Sequence, residues 1–121
     1  MTLDWREGGL AAGLQCYERG EFFETHEHWE GVWLACEGAE KAFLQALIQV
    51  TVAFHHLQKK NALGAESLLR RALRRLESYP AEFGGVDVER IRENLRAWID
   101  SLGKSQSHDK LLYPRISAGS F

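Results

Sequence analysis

Proline and cysteine are scarce in this chain: two prolines, Pro80 and Pro114, and two cysteines, Cys16 and Cys36, among 121 residues. With so few prolines and few β-branched runs, long helices meet little obstruction, and an all-α chain is expected. The cysteines have no CxxC spacing, so a zinc ribbon or a thioredoxin-like redox motif is excluded. Isolated at helical positions, they read as small buried apolar residues. A disulfide between their neighbouring helices is geometrically conceivable, but a reducing compartment would disfavour it. Neither charge sign dominates. A formal net charge of -2 gives no general attraction to nucleic acid or an anionic membrane. The first residues, Met1 to Glu7, lack the basic start and apolar run of a signal peptide. The longest apolar stretch, around residues 43–54, is broken by Gln45, Gln49 and Thr51, so no membrane span is expected. The expected location is the cytoplasm.

Hydrophobic residues make up 45% and charged residues 26%, the balance of a globular domain with a core. The length fits one domain, expected over residues 1–102 as a compact bundle of about five helices, with residues 103–121 as a polar C-terminal tail. The spacing predicts a first helix from about Leu3 to Arg19, with Leu10, Leu14 and Tyr17 inward. Its glycines Gly8, Gly9 and Gly13 weaken it or permit close packing. Gly20 ends it. A second helix follows over Phe22–Cys36 and a third, apolar on nearly every side, over about Glu40 to Lys59. Asn61 is expected to cap the third helix at its C-terminus. A fourth helix runs to about Ser78. Pro80 stops it, and Phe83-Gly84-Gly85 reads as a loop. Asp87 is expected to cap a fifth helix with the stripe Val88, Ile91, Leu95, Trp98, Ile99 and Leu102. Within the tail, Leu111 to Ile116 is an apolar patch. It is expected to pack back across the first helix or across a second subunit, burying Leu112, Tyr113 and Ile116. Trp5 has no obvious internal partner.

A faint repeat runs through the chain. Residues 17–25 lie forty positions ahead of residues 57–65, and each stretch is a helix end, a tight turn and a new helix start. Two helical hairpins related in this way would resemble tetratricopeptide-like packing.

The most informative segment is Phe22-Phe23-Glu24-Thr25-His26-Glu27-His28-Trp29-Glu30-Gly31-Val32-Trp33. At about 100° per residue, Phe22, His26, Trp29, Glu30 and Trp33 share roughly one third of the helix circumference. The face carrying the aromatics into the core is thus expected to carry an imidazole and a carboxylate with them. Burying such groups is costly unless they satisfy each other or are recruited for chemistry. The third helix carries a matching polar stripe of Gln45, Gln49 and His56. One reading is that His26, Glu30 and His56 converge on a divalent transition metal (zinc, iron or manganese), leaving a position open for water or substrate. Glu27, Trp33, Gln45 and Gln49 would then surround the ligands or line the pocket. The competing reading is a buried His–Glu–Gln hydrogen-bond network that only specifies the fold. His55 points to another face and reads as packed or partly exposed.

Several familiar chemistries are absent. Glu30 stands where HExxH needs its second histidine, and Glu24, Glu27 and Glu30 lack the histidine of a Glu-x-x-His di-iron site. No Ser-His-Asp or Cys-His arrangement and no glycine-rich phosphate loop stands out. The arginines at 70, 71, 74, 75, 90, 92 and 96 alternate with glutamates and read as solvated helix faces. No aromatics are threaded among them for base stacking, so no nucleic-acid partner is expected.

Residues 20–33, Lys41-Ala42-Phe43-Leu44-Gln45-Ala46-Leu47-Ile48-Gln49, and His56-Leu57-Gln58 with Asn61 and Gly64-Ala65 together resemble a prokaryotic family of small helical proteins, domain of unknown function 309. The resemblance covers about Gly20 to Leu76, and His26, Glu30 and Trp33 meet an HxxxExx(W/Y) signature. Thr25 stands where alanine is usual, and Lys60 where glycine is common. The resemblance implies a compact helical bundle with a metal site at the signature and no established activity. Two functions are therefore expected in competition. The first is a cytoplasmic metal-binding, hydrolase-like protein acting on a small molecule. The second is a non-enzymatic tetratricopeptide-like interaction module that binds a protein partner or a second copy of itself.

Overall fold

The computed structural model describes residues 3–104 and 111–116. Its five helices are α1 (Gly8–Glu18), α2 (Phe22–Ala35), α3 (Gly38–Gln58), α4 (Ala62–Leu76) and α5 (Val88–Gly103). The expected all-α class is correct, with one small addition. Glu82–Phe83 (β1) and Val86–Asp87 (β2) pair antiparallel, Glu82 opposite Asp87 and Phe83 opposite Val86. Where a loop was expected, Gly84 and Gly85 adopt φ of +58° and +78°. Two successive left-handed residues make the tight hairpin turn whose twist matches its flanking strands.

Helices adjacent in sequence pack on one another, α3 with α4 most extensively, as short connections require. The long α3 is the axis of the core: Phe43, Leu44, Ala46, Leu47, Val50, Thr51, Ala53 and Phe54 are all buried. It takes α2 on one side and α4 on the other. Its near-continuous burial explains why its sequence is apolar nearly all round.

The forty-residue repeat has a physical counterpart. At the end of α1, Gly20 N–H donates to Tyr17 O and Glu21 N–H to Cys16 O. At the end of α3, Lys60 N–H donates to Leu57 O and Asn61 N–H to His56 O. Both are Schellman closures, which need a left-handed residue just past the helix. Gly20 supplies it with φ +75°, Lys60 with φ +63°. The Gln58 amide donates to Gly20 O at 2.8 Å, tying one turn to the other. The left-handed conformation strains a Cβ-bearing residue by about 1–2 kcal/mol. Lys60→Gly is therefore expected to stabilise the fold by about 1 kcal/mol, read as a higher urea midpoint at unchanged slope. A lower midpoint would show that the Lys60 side chain contributes more than its backbone strain costs.

Asn61 has a different role from the one expected. It caps the N-terminus of α4, its Oδ1 accepting Gly64 N–H at 2.9 Å, rather than the C-terminus of α3. A Cβ on Gly64 would lie 2.6 Å from the Asn61 amide nitrogen, so the cap and the glycine fit together. Asp87 caps α5 as expected, accepting from Arg90 N–H at 3.0 Å. Arg92, read from sequence as a solvated arginine, is buried. Its guanidinium donates to Leu76 O at 2.7 Å, Tyr79 O at 2.8 Å and Glu89 at 2.6 Å, closing the α4–α5 connection.

The ends of the described chain are packed too. Helix α1 begins at Gly8 rather than near Leu3, because Gly8 takes φ +59°. Leu3 and Trp5 instead lie buried, with Trp5 Nε1–H donating to Gly84 O at 2.6 Å and its ring edge-on to Trp29. Trp5 thus has internal partners. Residues 111–116 dock on the bundle, as expected for the tail. Ile116 is buried and Tyr113 packs on Phe22, Phe54 and Trp98. Leu112 and Tyr113, both expected inside, are 82% and 44% exposed. Cys16 and Cys36 are both buried and form no disulfide, in line with the structural reading, and burial pushes the Cys36 thiol pKa up.

Candidate functional site along the flank of the central helix

The orientation of α2 is set by its contact with α1. Ideal Cβ atoms on Gly9 and Gly13 would meet Val32 Cγ2 at 2.7 Å and Trp29 Nε1 at 2.4 Å. The two glycines therefore let α1 lie directly on the Trp29 side of α2. The face that goes inside is Phe22, Thr25 and Trp29, followed by Cys36. Thr25 satisfies its hydroxyl within the helix by donating to Glu21 O at 2.9 Å, so it is buried at little cost.

This rotation corrects the expected burial of His26 and Glu30. They lie on the flank: the side chain of His26 is 29% exposed and that of Glu30 53%. The pair itself is real, with Nε2 2.7 Å from Oε2 across one helical turn. The imidazole N–H donates to one carboxylate oxygen and leaves the other available. Phe23, beside them, places its ring 6.1 Å from His26 and 5.5 Å from His55.

His56 is not the third member of this set. Its Nδ1 lies 3.4 Å from the Asn61 amide nitrogen, in the turn between α3 and α4. Among the described residues, no group of three or more His, Cys, Asp or Glu is arranged to hold a metal ion. The expected ligands His26, Glu30 and His56 therefore supply one pair and one separate imidazole. That donor set does not fit a three-ligand zinc, iron or manganese centre.

The neighbours expected around the pair divide into two groups. Glu30, Trp33, Gln45 and Ile48 line a cleft of about 240 Å³ between α2 and α3. Lys41 Nζ stands 4.4 Å above the Trp33 ring, a cation–π contact on its rim. The Trp33 indole N–H is buried and unpartnered among the described residues. Gln45 also lines a second cleft, of about 450 Å³, with Gln49, Arg71, Arg74 and Arg75. Gln49 belongs to that arginine side, and its buried Oε1 is likewise unpartnered. Glu27 is exposed and joins neither cleft. The polar network is thus open rather than closed. Sequence reasoning missed Arg71, Arg74 and Arg75 as neighbours of Gln49. The available signal was their i, i+3, i+4 spacing on the helix that follows the Gln45–Gln49 stripe.

Together these features define a helical-hairpin domain with a polar groove on each flank of its central helix. Residues 10–68 match the family model described as "Domain of unknown function (DUF309)". The resemblance to family 309 is thereby shown over a stretch that takes in α1 to the middle of α4, beginning ten residues earlier than the motifs alone indicated and ending at Leu68 rather than Leu76. The chain is also 28% identical over 92 residues to an uncharacterized protein of Aquifex aeolicus (strain VF5). That alignment covers 74% of this chain and 28% of the relative's length.

Proposed function

We propose that this domain binds a small polar molecule in the α2–α3 cleft, with the Glu30 carboxylate as the charged contact and His26 holding it in place. The observation that carries this reading is the cleft's composition: a carboxylate already oriented by an imidazole, beside an indole, an amide and an aliphatic wall. Small-ligand sites combine an apolar body with a few oriented polar groups in this way. Glu30 would accept a hydrogen bond from the bound molecule, and Gln45 would read a second polar group. An interaction module built on a closed structural network is less well supported, because the network leaves Glu30 exposed and two buried polar atoms unpaired. No helix among the described residues is long and apolar enough to cross a membrane.

The test follows the Trp33 indole N–H resonance while a panel of small amines and amides is titrated in. A saturable shift that Glu30→Gln weakens at least tenfold would support the proposal. The variants should unfold within about 1 kcal/mol of wild type, because the Glu30 carboxylate is half-exposed. No shift with any probe, together with a stability loss of several kcal/mol for both Glu30→Gln and Glu30→Ala, would make the pair scaffold and overturn the site.

A further inference from the structure

The α3–α4 cleft has a different chemistry from the α2–α3 cleft and stands on separate observations. Arg71, Arg74 and Arg75 occupy neighbouring positions on one face of α4, all three exposed, opposite Gln45 and Gln49 of α3. None of the three forms an ion pair among the described residues, whereas the nearby Arg70 is held by Glu66 at 2.9 Å. Three unneutralised guanidiniums on one wall repel one another unless water or an anion intervenes. The helix C-terminus attracts Arg74 and Arg75, which lie in its last turn, but Arg71 lies before that turn. The opposite wall contributes an amide whose buried oxygen lacks a donor.

We propose that this cleft is a binding site for a phosphate monoester of a small molecule. Guanidinium forks match the paired oxygens of a phosphate and bind it with charge-assisted hydrogen bonds. The glutamine amides can donate to a phosphate oxygen, and the unpartnered Gln49 oxygen accepts from a hydroxyl of the ligand or from a protonated phosphate oxygen. A volume of about 450 Å³ suits a metabolite-sized ligand. No aromatic side chain lines the cleft for base stacking, and the chain's net charge of -2 gives no general attraction to polyanions, so a nucleic acid is the poorer occupant.

The experiment titrates the full chain with inorganic phosphate and with glycerol 3-phosphate at constant ionic strength, by calorimetry and by amide chemical shifts on α3 and α4. Both probes should bind saturably, glycerol 3-phosphate more tightly because its hydroxyls can donate to Gln49. The double variant Arg71→Gln, Arg75→Gln should weaken binding at least tenfold while melting like wild type. Gln49→Leu should remove the preference for glycerol 3-phosphate. Arg90→Gln, outside the cleft, should leave binding unchanged. Absence of saturable binding overturns the proposal, and so does a loss with Arg90→Gln equal to that of the double variant. The Glu30 variants serve as an internal control. They should bind phosphate normally, so failure of the α2–α3 site and failure of this one are separately visible.

Discussion

Trp29→Ala is expected to destabilise the fold by about 3–5 kcal/mol, among the largest effects of any single substitution here. Trp29 is fully buried, edge-on to Trp5 with centroids 5.5 Å apart and stacked on Tyr17 at 6.1 Å. Its indole N–H donates to Leu10 O at 3.2 Å, so truncation also removes a hydrogen bond that ties α2 to α1. The glycine beneath it supplies the complementary measurement. Gly13→Ala would place a methyl 2.4 Å from Trp29 Nε1, and overpacking of this kind costs about 1–3 kcal/mol. In a Trp29→Ala background the same methyl enters vacated space, so its cost should vanish or reverse. Urea denaturation of the four proteins in the cycle measures the coupling directly. Additive effects would show that the two helices do not meet through this pair. The orientation of His26 and Glu30 would then need another cause.

The same lock explains what could and could not be read in the sequence. Helix existence was legible, because α4 and α5 carry strong apolar periodicity, α3 is a long apolar run without a breaker, and α5 has a capping aspartate. Helix rotation was not. On α2, Phe22, Thr25, Trp29 and His26 all fall within a narrow arc. Choosing its centre depends on whether Thr25 or His26 is inside. Placing the aromatics first favoured His26. The contact that Gly9 and Gly13 of α1 make with α2 decides for Thr25, and those glycines lie in another helix. The turn residues show the same limit. Asn61 follows one helix and precedes the next, so either capping role suits its side chain. The choice is made by Gly64, which leaves room for the amide.

For the site, the composition was legible but the partnership was not. The His26–Glu30 hydrogen bond is local, one turn within a single helix, and follows from spacing alone. Bringing in His56 required α2 and α3 to present their polar stripes to each other. The stripes instead diverge: Gln45 faces both clefts, Gln49 faces α4, and His56 joins the turn with Asn61. Arg92 was misread for a related reason. Its place on the α5 stripe, four residues after Val88 and seven before Ile99, marks it for the inner face, but its acceptors, Leu76 O at the end of α4 and Tyr79 O beyond it, come from another stretch of chain.

Removing residues 104–121 should lower stability by several kcal/mol, because the segment 111–116 completes the core beneath α1 and α5. Ile116 and Pro114 are buried, and the half-exposed Tyr113 stacks on Trp98, with ring planes 2° apart, while touching Phe22 and Phe54 edge-on. Packing supplies about 1.5–3 kcal/mol per fully buried apolar side chain, offset in part by the entropy of ordering the docked segment. Two hydrogen bonds fix its path: Tyr17 Oη–H donates to Pro114 O at 2.7 Å and Trp98 Nε1–H to Leu112 O at 3.0 Å. Truncation strands both donors. It also changes the alkaline behaviour. Burial raises the Tyr17 phenol well above its ordinary value of 10.0, so the neutral form favours the fold. That contribution is complete below pH 10 and is lost as pH rises towards the folded-state value. The full chain should therefore lose stability on the alkaline side, and the truncated chain, with Tyr17 uncovered, should do so less steeply. Ile116→Ala offers a milder version in case the truncated chain fails to fold, with an expected cost of about 2–5 kcal/mol. Urea curves for the full chain, the truncation and Ile116→Ala at pH 7 and pH 10.5 carry the test. A truncation that melts like the full chain at both pH values would mean that the docked segment adds nothing to the core it covers.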